Sequence, residues 1–155
     1  MDFGGYITRL DYKAGVTVKG AVFYKFEVYC CHTPLEGLTS TFAANYGGNT
    51  PVLVLVANPY PAWVRADQWF SVVFTQPFPY NNRDNLLVEV RWHNQICTPS
   101  LLNWAFDGGR NRMVEAEGYN DPEGTTTSYC NHLRVYFSGV GVAPASWGKI
   151  KATLR

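Results

Sequence analysis

The sequence predicts an all-β fold, a jelly-roll-like antiparallel β-sandwich formed by one domain. The chain has 155 residues, the size of a single ordinary domain. Fourteen glycines and nine prolines interrupt it so often that few helices of ten residues are expected. Eight or more short apolar or alternating segments lie between turn residues, and this spacing is typical of sandwiches and barrels.

Charge and hydropathy exclude several classes of function. Charged residues make up 16% of the chain and hydrophobic residues 46%, which excludes a disordered tail. The net charge of +1 does not provide the excess of positive charge that is typical of nucleic-acid-binding proteins. No apolar run approaches the roughly 20 residues that span a bilayer. We therefore expect neither a nucleic-acid partner nor a membrane partner.

The first strands are predicted from alternation of side chains. Residues 6–12 form the first, and residues 16–31 form a long second strand that is broken early. The charged face of this second strand is expected to be wetter, so Cys30 points inward and Cys31 outward. The two faces are Ala21, Phe23, Lys25, Glu27, Tyr29 and Cys31 on one side, and Val22, Tyr24, Phe26, Val28 and Cys30 on the other.

The middle of the chain continues this pattern. Residues 35–45 suggest a short helical turn and residues 46–49 a tight turn. The apolar run at 51–57 indicates a buried strand, which the prolines of 58–61 end. Residues 68–75 form the next strand.

The following strands include the clearest of all, residues 86–92, whose even-numbered residues share one apolar face. Residues 102–106 and 112–117 predict a hairpin around 107–109. Residues 132–138 alternate again and form the last strand of the main domain.

The C-terminal segment is the most informative part of the sequence. We expect a domain at 1–139, followed by a linker and a terminal strand at 140–155, with a hinge at 142–146. The terminal strand either closes its own sandwich or adds to the sheet of a neighbouring subunit. In the second case the interface is head-to-tail and builds a filament. The expected assembly residues are Trp147, Ile150, Ala152 and Leu154.

Four cysteines form an even set, namely Cys30, Cys31, Cys97 and Cys130. Two disulfides would suit a secreted protein, and free thiols in a cytosolic one are the alternative. Since Cys31 and Cys130 are both predicted on the outer face, the expected pairs are Cys31–Cys130 and Cys30–Cys97. The cysteine and histidine spacing does not fit a structural zinc motif, so no metal is expected.

Catalytic patterns are not apparent, and neither an enzyme nor a cofactor is expected. No Gly-x-Ser-x-Gly occurs, and the carboxylates of predicted strands, such as Glu27 and Glu89, do not single out an acid and a nucleophile. An alternative function is a monomeric carbohydrate-binding or adhesive module. Its possible stacking residues are Trp63, Trp104 and Tyr119, although aromatic residues in strands are often core residues.

One segment resembles a known pattern. Pro77-Phe78-Pro79-Tyr80 ends a strand, and Asn85-Leu86-Leu87-Val88-Glu89 opens the next after a polar turn. This pattern resembles uncharacterised β-sandwich domains of secreted bacterial cell-surface proteins, and the likeness extends over about residues 3–138. It implies an extracellular, non-enzymatic structural or adhesive domain, and it carries over no catalytic residue.

The leading functional prediction combines these points. The protein is expected to be a pilus-like structural subunit of an extracellular filament or surface assembly, joined to a second copy by its C-terminal strand. The N-terminus lacks the basic and apolar regions of a signal peptide. Export is therefore expected to have followed removal of a signal that this chain does not contain. Under the alternative function, the partner is a glycan.

Overall fold

The structure is a computed structural model that describes residues 5–139 and 150–154. It confirms the predicted all-β, sandwich-like fold, whereas the jelly-roll assignment stays a prediction. A short 3₁₀ helix covers Ala43–Tyr46. The strands within the described residues are β1 (Tyr6–Lys13), β2 (Val18–Tyr24), β3 (Phe26–Thr33), β4 (Val52–Ala57), β5 (Tyr60–Val64), β6 (Trp69–Pro79), β7 (Asn85–Arg91), β8 (Asn94–Ile96), β9 (Ala105–Asp107), β10 (Met113–Glu115), β11 (Thr125–Thr127), β12 (Tyr129–Asn131), β13 (Leu133–Ser138) and β14 (Ile150–Leu154).

The strands form several sheets around a common core. The largest sheet has six strands in the order β11-β10-β14-β7-β3-β4. A second sheet has the order β13-β1-β6, a third β5-β2-β8, and β12 pairs with β9. The main core lies between these sheets, where Leu10 of β1, Val28 of β3 and Val88 of β7 are fully buried. No helix in the described part of the chain is long and apolar enough to cross a membrane.

The long strand predicted at 16–31 is two strands that belong to different sheets. It breaks at Lys25, which has a left-handed φ of 47° and whose N–H donates to Asn58 Oδ1 at 3.2 Å. The break shifts the alternation by one residue, so Phe23 and Phe26 both face the main core. The predicted separation of these two rings onto opposite faces was wrong. Cys30 does point into the main core, as predicted.

The strand predicted to be buried at 51–57 lies at an edge instead. β4 is the last strand of the six-stranded sheet, and its Val56 side chain is 55% exposed. Because every residue of the run is apolar, the sequence did not distinguish the core face from the outer face. The next strand, β5, was missed because it contains Pro61 and follows Pro59.

The hairpin predicted between 102–106 and 112–117 was wrong. β9 pairs with β12, and β10 pairs with β11. The turn residues direct this pairing, since Gly109 N–H donates to Asp107 Oδ1 at 2.9 Å and Gly108 N–H donates to the Ser128 carbonyl at 2.9 Å. The turn therefore leads β9 towards β12 rather than back to β10.

Candidate assembly site

The C-terminal strand β14 lies in the interior of the six-stranded sheet. It pairs with β7 over five residues, from Ile150 opposite Leu86 to Leu154 opposite Val90. On its other side it pairs with β10, from Ala152 opposite Met113 to Leu154 opposite Glu115. In the single chain, therefore, the strand fills a gap between β7 and β10, which we call the slot. Trp147 and the hinge at 142–146 lie outside the described residues.

The orientation of β14 sets it apart within its sheet. Both of its pairings are parallel, whereas β3 with β4, β3 with β7 and β10 with β11 are antiparallel. Without β14, the sheet would divide into β11-β10 and β7-β3-β4. The facing edges of β7 and β10 would then present unpaired N–H and C=O groups, which is the template that an added strand requires.

A loop crosses the outer face of the sheet and holds the two sides of the slot together. We call residues 35–46 the strap. The strap joins the β10–β11 side by main-chain hydrogen bonds: Leu38 N–H donates to the Asn111 carbonyl at 2.9 Å, and Phe42 N–H donates to the Pro122 carbonyl at 3.1 Å. The Gly124 N–H in turn donates to a strap carbonyl, that of Ser40, at 2.9 Å.

The strap also packs on both strands that flank the slot. Its Phe42 and Leu38 side chains form a small apolar cluster with Cys31 of β3, Leu87 of β7 and Val114 of β10, and we call these five residues the strap cluster. All five are almost completely buried. The strap therefore contacts both β7 and β10, the two strands on either side of β14.

A buried ion pair anchors the end of the strap to β7. Glu89 is 1% exposed, and Arg91 Nε donates to its Oε1. Tyr46, the last residue of the strap, donates its hydroxyl to Glu89 Oε2 at 2.5 Å and accepts from Arg91 Nη2 at 3.2 Å. A buried carboxylate of this kind is tolerated because both of its oxygens are hydrogen-bonded.

The strap is shaped by its own polar residues. Asn45 is fully buried, and its side-chain amide bonds both main-chain groups of Thr39. Its Oδ1 accepts from the Thr39 N–H at 2.8 Å, and its Nδ2 donates to the Thr39 carbonyl at 3.0 Å. Gly47 follows the 3₁₀ helix with a φ of 61°, and a Cβ there would collide with the Pro34 ring. The helical turn predicted in this region is thus a four-residue 3₁₀ helix held by an internal asparagine.

The predicted disulfides are not found, because the four cysteines are free thiols in this structure. Cys31 lies in the strap cluster on the outer face of the sheet. Cys130 lies on β12, which pairs with β9 rather than with a strand of that sheet. The predicted pair Cys31–Cys130 does not form. The pair Cys30–Cys97 does not form either, and Cys97 Sγ donates to the Pro99 carbonyl at 3.2 Å.

The three predicted stacking residues have different surroundings. Trp63 on β5 is 74% exposed. Trp104 is half-exposed, and its Nε1–H donates to Asp67 Oδ1 at 2.7 Å. Tyr119 is half-buried and donates its hydroxyl to Glu27 Oε2 at 2.8 Å.

The carboxylates of the predicted strands take part in hydrogen bonds within the outer face. Glu27 accepts from Tyr29 at 3.0 Å as well as from Tyr119, and Glu89 is bound as described above. Within residues 5–139 and 150–154, no group of three or more histidine, cysteine, aspartate or glutamate side chains is arranged to hold a metal ion.

Sequence reasoning missed the strap as a functional element. Phe42 lies among Thr, Ser and Ala residues with no helical or strand period, so nothing marked it as a core residue. The alternation of β7 did place Leu87 and Glu89 on the outer face, and an apolar residue at that face was the available signal that something covers it. Comparison of the chain with protein-family models, with curated proteins and with solved structures finds no match.

Proposed function

We propose that this protein is a structural subunit of an extracellular filament or surface assembly, in which β14 of one subunit fills the slot of the next. The observation that carries the proposal is the position of β14. A strand from the C-terminal end of the chain occupies the interior of a sheet, between two strands that the strap already holds together.

The slot supports exchange because an equivalent strand from a neighbour would find the same partners. The register sets Ile150, Ala152 and Leu154 opposite Leu86, Val88 and Val90. These three β7 residues belong to the main core. The sequence predicts that Ile150, Ala152 and Leu154 share one apolar face. The apolar positions of the added strand therefore match those of β7 in register.

Strand addition of this kind is strong enough to join subunits. Each added ladder hydrogen bond contributes about 1 kcal/mol, and each buried large apolar side chain about 1.5–3 kcal/mol. The five register pairs with β7 and three with β10 supply several such terms. Their sum is comparable with an association cost of roughly 4–15 kcal/mol.

The extracellular location is the part of the proposal that rests on the sequence resemblance alone. The free cysteines remove disulfides as a support for it. Strand exchange does not depend on location, since it requires the slot and the terminal strand and no covalent link.

The test of strand exchange uses the intact chain. Two versions with different affinity tags are unfolded together and refolded over a range of concentrations. We expect the tags to copurify, and we expect light scattering and negative-stain microscopy to show open-ended oligomers. A chain that stays monomeric at every concentration, with tags that never copurify, would show that β14 closes its own sheet, and the proposal would be wrong.

A matched pair of variants assigns the assembly to β14. Thr153 lies opposite Glu89 on β7 and opposite Val114 on β10. Thr153→Pro removes a main-chain N–H and places a ring in an interior strand, so oligomers should be lost. Thr153→Ser keeps the N–H and should still assemble. Oligomers that persist in Thr153→Pro would mean that another surface joins the subunits.

A further inference from the structure

An apolar cavity of about 110 Å³ lies between the sheets, and it shares one described residue, Val90 of β7, with the slot. Aromatic rings form most of its wall. Phe26 and Tyr60 stack at 4.3 Å between ring centroids, and Tyr12 stacks on Phe70 at 5.7 Å. Trp92 meets another wall residue, Phe23, edge-on at 5.8 Å. The partly buried lining residues, which include Trp92 and Phe70, form the opening of the cavity.

Two residues that line the cavity each carry a buried polar atom with no hydrogen-bond partner within the described part of the chain. These atoms are the hydroxyl of Tyr12 and the Oδ1 of Asn103. Tyr12 as a residue is only 4% exposed. An unpaired buried polar group costs about 1–3 kcal/mol, so such atoms normally contact water or a ligand.

The hydrogen-bonding chemistry of Tyr12 and Asn103 indicates which functional group a ligand would need. A tyrosine hydroxyl donates one hydrogen bond, and an asparagine Oδ1 only accepts. A ligand hydroxyl can accept from Tyr12 and donate to Asn103. Burial, together with the nearby Cys30 and Cys130 thiols, raises the pKa of Tyr12 above its ordinary value, so this hydroxyl stays a neutral donor.

Size and charge restrict the rest of the ligand. None of the described residues that line the cavity is charged, so a charged ligand would lose its hydration without compensation from them. An apolar protein cavity of about 150 Å³ is known to stay dry and to bind benzene. A volume of 110 Å³, partly open at its mouth, therefore fits a molecule of about one ring.

We propose that this cavity is a binding site for a small neutral aromatic alcohol of the phenol class, oriented by hydrogen bonds to Tyr12 and Asn103. The ring lies among the aromatic side chains of the wall, and the hydroxyl satisfies both buried polar atoms. Among the described residues, the site and the strand slot share Val90 of β7, which lies opposite Leu154 of β14.

The test compares two probes that differ by one hydroxyl group, 4-fluorophenol and fluorobenzene. Fluorine NMR observed on the probe follows binding to the full chain in any state of assembly. We expect 4-fluorophenol to bind saturably and at least about 10-fold more tightly than fluorobenzene, as one satisfied hydrogen-bond pair implies. In Tyr12→Phe this ratio should fall several-fold, because only the hydrogen bond to Asn103 remains.

A second pair of variants locates the probe. Val72 lines the cavity, whereas its neighbour Val73 on β6 is exposed. Val72→Phe should abolish binding of 4-fluorophenol, and Val73→Phe should leave it unchanged. If Val72→Phe does not fold, the test of the proposal is the ratio of 4-fluorophenol to fluorobenzene affinity measured in Tyr12→Phe. Equal binding of both probes to the unaltered chain, no saturable binding, or a ratio that Tyr12→Phe leaves unchanged would overturn the proposal.

Discussion

The two hydrophobic clusters of this molecule differ in size and in what they hold in place. The main core lies between the sheets and contains buried residues from seven strands, β1 to β7. The strap cluster has five buried residues and lies on the outer face of one sheet. The main core therefore contains most of the buried apolar side chains, whereas the strap cluster links β7 to β10.

Substitution of one phenylalanine in each cluster tests this comparison most directly. Phe78 in the main core and Phe42 in the strap cluster are both almost completely buried. Phe78→Ala should lower the free energy of unfolding by about 3–5 kcal/mol. Phe42→Ala should lower it by about 2–3 kcal/mol, since the strap can partly collapse onto the sheet. Denaturant unfolding measures both losses.

Hydrogen exchange distinguishes the two substitutions further. In Phe42→Ala, amides of β10 and β11 should exchange faster while those of β1 stay protected, because the strap no longer holds the β10–β11 side. Ser40→Ala, at an exposed position of the same strap, is the control and should change neither quantity. If amide exchange in Phe42→Ala were uniformly faster over the whole chain, the strap cluster would be part of one cooperative core.

The outer face also differs from the main core in its buried charge, and a second comparison tests that difference. Glu89 is buried and bonds Arg91 and Tyr46, whereas Glu36 pairs with Arg110 at the surface. Glu89→Gln should cost about 1–2 kcal/mol, because the Arg91 charge loses its compensating partner.

The exposed pair provides the control for this substitution. Both side chains of the Glu36–Arg110 pair are more than half exposed, so Glu36→Gln should change the free energy of unfolding by less than about 0.5 kcal/mol. Thermal and denaturant unfolding of the two variants give the comparison. Equal losses would show that the buried pair contributes no more than a surface pair.

The sequence predicted more of the main core than of the strap. Alternation in β7 identified the residues that face the core, and β1, β6 and β13 were placed to within a few residues. The break at Lys25 was misplaced because no glycine or proline marks it, and its left-handed φ occurs at an ordinary lysine. The β9–β12 pairing was missed because turn residues can direct a strand to more than one partner.

The candidate site was predicted only in part. The alternation of the C-terminal residues predicted a strand, but it did not predict its partners β7 and β10. The sequence of one strand does not specify which strands it pairs with. The strap depends on Phe42 and Asn45, two isolated residues in a stretch without periodicity. Such a segment acquires its function from the surface beneath it, which single-sequence patterns do not describe.

The smallest expected effect concerns His32, which lies at the end of β3, where the sheet meets the loop after β6. Its Nε2 accepts a hydrogen bond from the Asn81 N–H at 3.1 Å, and its ring stacks on Tyr80 at 5.8 Å. Burial lowers the pKa of His32 below its ordinary value of 6.5, although the nearby Asp84 carboxylate acts in the opposite direction. Protonation would turn the accepting nitrogen into a donor and break the bond to Asn81.

The sign of the pH effect follows from this shift. Because the folded state binds the proton less tightly than the unfolded state, the stability that His32 contributes is complete above about pH 6.5 and is lost as the pH falls through the lowered pKa. Unfolding measured from pH 7.5 to pH 5 should show this loss in the unaltered chain. His32→Gln, which does not titrate, should lack that component, and a variant whose stability follows the same pH curve would assign the effect to other groups.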